Sequence, residues 1–142
     1  SLKDSGVYHN IDHTDTGEFI AKADDDTRFF EKYRTKTHKV LAGDTGVYFF
    51  SNIDTPASLT APISHVWEYY DTTTSNWILA MKISFDIQGG REEGYRAFSN
   101  KENITDGLWR VTVKIGDKRI IGREKFRVIK TTDTLLLKQV SL

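Results

Sequence analysis

Chemistry in this chain has to start from four histidines, twenty acidic groups and its hydroxyls, because it has no cysteine. His9 and His13 lie four apart with Asp12 and Asp15 beside them, a spacing that can hold a metal when the segment is helical. Gly6-Val7-Tyr8 reads as a strand, which breaks that geometry, so both are expected as loop histidines and no metal site is expected. Asp24-Asp25-Asp26 lacks the alternating oxygen ligands and distal glutamate of a calcium loop and reads as a solvated turn. His65 shares a strand face with Ile63, Trp67 and Tyr69, where a polar ring must be hydrogen-bonded or exposed. Its plain reading is a satisfied core histidine beside Trp67; its sharper one is a hydrolase or transferase base with a nearby carboxylate. No hydroxyl sits on a glycine-flanked elbow, and Glu92-Glu93 are adjacent carboxylates in a turn rather than an acid/base pair held in two environments. The run Gly89-Gly90-Arg91-Glu92-Glu93-Gly94-Tyr95-Arg96 follows a strand, but no helix pattern follows it, so it is not a nucleotide loop. Its two arginines can still hold an anion or a carboxylate. No catalytic residue and no cofactor is expected.

Charge is divided along the chain. Residues 1–71 carry 7 basic and 12 acidic groups, and residues 72–142 carry 13 and 8. Arg110 and Lys114 share one strand face, and Arg119, Arg123, Lys125 and Arg127 alternate on the next strand. Like charges opposite one another across strands are destabilising, so either acidic segments of the first half lie alongside or an anionic partner compensates. Glu124 has the parity of Ile120, Phe126 and Val128, so it pairs with an inward arginine or a bulge at Gly122 resets the phase.

The chain's 142 residues suit one domain that buries roughly two-thirds of its unfolded surface. Seventeen aromatics supply core material despite 28% charged residues, which excludes a disordered chain. A formal charge of zero argues against a bulk polyanion binder, and no nucleic-acid partner is expected. Without cysteine there is no disulfide scaffold, thiol nucleophile or iron–sulfur cluster. The longest apolar runs, Trp77 to Met81 and Leu135 to Leu137, fall far below the ~20 residues of a membrane-spanning helix. The sequence begins Ser1-Leu2-Lys3 and its only methionine is Met81, so it is expected to be a piece of a longer protein.

The elements that position these residues read as strands. From Trp77 to Ile87 every odd position is large and apolar, and Lys82, Ser84 and Asp86 point the other way. Gly107 to Ile115 repeats the pattern with Trp109, Val111, Val113 and Ile115; Gly116-Asp117 turns the chain, and Arg119 to Val128 returns as a hairpin. Gly46 to Ile53 and Ile63 to Tyr70 are rich in β-branched and aromatic residues. Weaker strands are Gly6 to His9, Phe19 to Lys22, His38 to Leu41 and Tyr95 to Ser99. Only Asp24 to Arg34 offers a helical turn or two. The expectation is an all-β, antiparallel, immunoglobulin-like β-sandwich of two layers, with seven to nine strands and at most one short helix. Residues 1–129 form that domain, and residues 130–142, with Leu135-Leu136-Leu137, are a tail or an extra edge strand that can contact a partner.

An ordered set of motifs runs through the chain: Ser1-Leu2-Lys3, Gly6-Val7-Tyr8-His9, Pro56, His65-Val66-Trp67, Gly89-Gly90-Arg91, Gly94-Tyr95-Arg96, Gly107-Leu108-Trp109-Arg110-Val111 and Ile121-Gly122-Arg123 with Phe126 and Val128. Over residues 1–129 the set resembles the bacterial domain of unknown function 2914 family. The resemblance implies a soluble carboxy-terminal domain of a bacterial multi-pass membrane protein, in the cell envelope on the periplasmic side of the inner membrane, and it implies no activity. The polar segment after Phe50 and Glu124 depart from the family pattern. Once core and glycine positions are set aside, His65, Trp67, Arg91, Tyr95, Arg96, Arg110 and Arg123 remain as the expected binding residues. Aromatics and arginines of this kind stack on a sugar or clamp a carboxylate or phosphate. The expected function is non-catalytic binding of a glycan, an anionic ligand or an envelope protein. The alternative is an assembly domain that packs on its own membrane segment or a partner.

Overall fold

A computed structural model describes residues 1–25, 35–41, 43, 46–54, 60–86 and 94–142. Among these there are eleven strands and no helix: β1 (Leu2–Tyr8), β2 (Asn10–His13), β3 (Phe19–Asp24), β4 (Lys36–Leu41), β5 (Val47–Ile53), β6 (Ile63–Asp71), β7 (Asn76–Phe85), β8 (Tyr95–Lys101), β9 (Gly107–Ile115), β10 (Arg119–Thr131) and β11 (Leu137–Ser141). The helical turn expected from Asp24 lies outside the described residues beyond Asp25, and Asp24 itself closes β3. The all-β sandwich is present, with more strands than the seven to nine read from the sequence.

The strands form three sheets of order β4-β10-β9-β6-β7, β1-β5-β8 and β11-β3-β2. Neighbours pair antiparallel except β4, which lies parallel to the second half of β10. The main core lies between the five-stranded sheet and β1-β5-β8, where Phe49, Ile53, Trp67, Trp109, Val111, Val113 and Phe126 meet. A second cluster, Ile11, Phe19, Ala21 and Phe50, fills the space between β1-β5-β8 and the small rear sheet. The body is therefore three layers deep rather than two. Strand β5 explains why: Val47, Phe49 and Ile53 face one neighbour, and Phe50 with Tyr48 faces the other. A strand covered on both sides needs apolar residues at both parities. The tail belongs to the rear sheet, where β11 pairs with β3 from Leu137↔Asp24 to Ser141↔Ile20 and leaves Leu136 exposed.

Two register shifts decide which side chains point outward. Between β6 and β7, Trp67 pairs with Met81 but Glu68 with Leu79, so Ala80 is the extra residue of a bulge. Met81, Ile83 and Phe85 follow Trp67 and His65 inward, whereas Trp77 and Leu79 join Tyr70 and Glu68 on the outer face. The single apolar face read from Trp77 to Ile87 is thus split in two, and Leu79 is 61% exposed. Between β9 and β10, Ile120 pairs with Lys114 and Gly122 with Val113, which makes Ile121 extra. This shift turns Ile120 outward and separates Arg119 from Arg123, Lys125 and Arg127. A Cβ at Gly122 would fall on Leu2 Cδ2, so glycine here lets β1 close over the bulge. Glu124 stays on the inner parity opposite Val111 and accepts a hydrogen bond from Ser5 Oγ at 2.9 Å, a partner on β1 rather than an arginine. With Asp4 it holds the Tyr8 phenol above its usual range, an effect led by burial.

Candidate functional site

The expected binding residues occupy three separate environments. His65 and Trp67 are fully buried in the main core. One ring nitrogen of His65, Nε2, lies 2.7 Å from Ser51 Oγ, and Nδ1 lies 2.8 Å from Ser99 Oγ. Trp67 Nε1 donates to the same Ser99 Oγ at 2.9 Å. Burial holds the imidazole neutral by lowering its pKa to about 3. Both nitrogens of the neutral ring are engaged by hydroxyls, the ring packs edge-on to Phe49 and Phe85, and among the described residues no carboxylate pairs with it. His65 is a hydrogen-bonded strut across the sandwich.

Arg96 lies on the opposite side of β1-β5-β8, toward the rear sheet. Its guanidinium sits 4.8 Å over the Phe19 ring and donates to the Leu142 and Gly17 carbonyls at 3.4 and 3.5 Å. It lines a cleft of about 640 Å³ with His13, Glu18 and Leu142, and Tyr95 contributes to the wall. Tyr95 packs largely against the main core, because neighbouring residues on a strand leave by opposite faces. Arg91 lies outside the described residues.

Arg110 and Arg123 are on the outer face of the five-stranded sheet, and the pairing register shows what stands around them. Successive rows read Trp77 beside Tyr70; Leu79, Glu68, Arg110 and Lys125; Lys82, Val66, Thr112 and Arg123; and Ser84, Ser64, Lys114 and Ile120. Lys39 and Arg127 extend the face along β4 and β10. Within the paired strands Glu68 is the only carboxylate directed outward, against seven lysines and arginines. It is already committed, accepting from Arg110 Nε at 2.9 Å. The Arg110 guanidinium also lies 4.2 Å above the Trp77 ring, with Lys125 Nζ at 5.9 Å. Arg123 Nε donates to Thr112 Oγ1 at 2.8 Å. The like charges at Arg110 and Lys125 are therefore eased by one carboxylate and one aromatic face.

Residues 60–128 match the family described as Protein of unknown function (DUF2914). The matched segment contains β6, β7, β8 and β9 and most of β10, so it carries four of the five strands of the cationic sheet together with His65 and Trp67. The motifs read before residue 60, from Ser1 to Pro56, fall outside it. No curated protein matches the chain.

Sequence reasoning named Arg110 and Arg123 and missed Trp77, Leu79, Lys82 and Glu68 as their neighbours. The missed signal is weak: Ala80 interrupts the large apolar residues of β7, but only its pairing with β6 reveals a bulge there.

Proposed function

We propose that this chain is a non-catalytic binding module of a bacterial membrane-associated envelope protein, and that it holds an anionic partner across the outer face of its five-stranded sheet. The observation that carries this reading is the imbalance of that face among the described residues, seven cations to one paired carboxylate, around the ring of Trp77 and the exposed Leu79 and Ile120. The chain as a whole has no net charge, so the cations are segregated by the fold rather than abundant. A pleated sheet spaces its outward side chains about 5 Å across strands and 7 Å along them, a pitch that suits several phosphates, sulfates or carboxylates at once. An aromatic ring and aliphatic groups among the cations add stacking or shallow insertion. The envelope setting rests on the family resemblance.

Binding to phosphatidylglycerol vesicles, to phosphatidylcholine vesicles and to a sulfated polysaccharide tests the reading and separates a headgroup from a glycan. Saturable, salt-sensitive binding to one anionic probe is expected, with none to phosphatidylcholine. The exposed pair Lys125→Glu and Arg127→Glu should weaken it at least about thirtyfold, since each cation near a charged surface contributes about 1 kcal/mol. No binding to either anionic probe at low salt, or equal binding by the reversed variant, refutes it.

A further inference from the structure

We infer that His9, Asp24 and His38 form a divalent transition-metal site, best suited to zinc, that ties the rear sheet to the edge of the five-stranded sheet. The three residues come from distant parts of the sequence: His9 from the crossing between β1 and β2, Asp24 from the end of β3, and His38 from the middle of β4. One ligand atom from each lies within 4.8 Å of the other two. His9 Nε2 and Asp24 Oδ1 share a proton at 2.6 Å, and the His9 and His38 rings stack at 4.1 Å.

The second observation is His38 itself. It is fully buried, yet among the described residues neither ring nitrogen has a hydrogen-bond partner. Buried polar groups are almost always satisfied, and an orphaned one costs about 1–3 kcal/mol. Inward parity on β4, beside Val40 and opposite Val128, would suit a valine or isoleucine. An imidazole at such a position, with a ligand atom within 4.8 Å of one from a second imidazole and one from a carboxylate, is explained by a metal that takes its lone pair.

Two imidazoles and one carboxylate are a donor set that zinc accepts at about 2.0–2.2 Å, and Asp24, the most exposed of the three, leaves a solvent side for a fourth ligand such as water. Binding asks for the widest pair, up to 4.8 Å, to close by roughly 1.4 Å, for the 2.6 Å His9–Asp24 pair to open, and for the stacked rings to tilt so that their lone pairs converge. Zinc would take His9 as the neutral imidazole through Nε2, its ring proton then carried on Nδ1, with Asp24 bound as the carboxylate. Lys36 is the neighbouring cation that opposes the ion, and Asp24 offsets it. His13, which the sequence places beside His9, stacks instead on Phe19 at 4.2 Å and takes no part.

Chelator-stripped protein titrated with zinc chloride tests this by thermal unfolding, and cobalt(II) substitution reports coordination through its visible ligand-field absorption. At a free zinc concentration a hundredfold above Kd, the melting temperature should rise on the order of 8 °C, with one ion bound per chain. His38→Gln and the more exposed Asp24→Asn should each abolish the rise and the cobalt spectrum, while His13→Ala keeps both. No rise in the unmutated protein overturns the inference. So does a rise that survives Asp24→Asn and disappears in His13→Ala, which would place the ion at His13, in β2 rather than in the loop expected from the sequence.

Discussion

Replacing Ser99 with alanine should be among the most damaging single-atom deletions in this protein. Ser99 is 5% exposed and its hydroxyl is the meeting point of two buried groups, His65 Nδ1 at 2.8 Å and Trp67 Nε1 at 2.9 Å. Removing the oxygen takes the partner from an indole N–H and an imidazole nitrogen in the buried core. Each such loss costs about 1–3 kcal/mol, so the variant should lose about 4 kcal/mol, a large share of the roughly 5–15 kcal/mol that holds a domain folded. Ser51→Ala strands only His65 Nε2 and should cost about half as much. Chemical unfolding followed by tryptophan fluorescence measures both, and the melting temperature of Ser99→Ala should fall on the order of 12 °C. In a His65→Leu background Ser51→Ala should become nearly neutral, because the group it would have stranded is gone. A Ser99→Ala variant within about 0.5 kcal/mol of the parent, or a Ser51→Ala that costs more than Ser99→Ala, would refute the account of His65 as a hydrogen-bonded strut.

Two further outcomes follow from the same core. In metal-free protein, stability should decline as pH falls from about 6.5 toward 3, because His65 and His38 protonate in the unfolded chain near 6.5 and in the fold only near 3. At pH 5 each contributes a loss of about 2 kcal/mol, so a urea midpoint unchanged between pH 7 and pH 5 would show that neither ring is held neutral. Gly122→Ala should cost no more than about 1 kcal/mol, because its methyl group meets the movable end of the half-buried Leu2, and Leu2→Ala should recover part of that loss when combined with it. Strict additivity of the two in denaturant unfolding would mean that β1 does not close over the bulge.

Much of the sandwich was legible in the sequence. Trp109, Val111, Val113, Phe126 and Val128 alternate with polar residues on β9 and β10, and period-two alternation is a local property that the chain carries wherever it folds. The mixed apolar run of β5 marked a strand, but it was a strand covered on both sides and so a sign of a third layer. The rear sheet was the least legible part, since β2 and β3 are short and β11 finds β3 only through the return of the tail.

What the sequence could not contain is the side to which each alternating set points. A strand's side-chain period is two, so one extra residue reverses every position beyond it, and the extra residues at Ala80 and Ile121 exist only relative to a partner strand. Those two shifts put Trp77 and Leu79 outside with the cations and removed Arg119 from their row. Strand alternation with an unbroken β6–β9 register separated His65 and Trp67 from Arg110 and Arg123. Contacts that join distant segments, Ser51 and Ser99 on His65 or Asp24 and His38 on His9, leave no local periodicity at all. Composition and alternation determined that this chain builds stacked sheets around an aromatic core; pairing register, a property of two strands and never of one, decided what those sheets present to solvent.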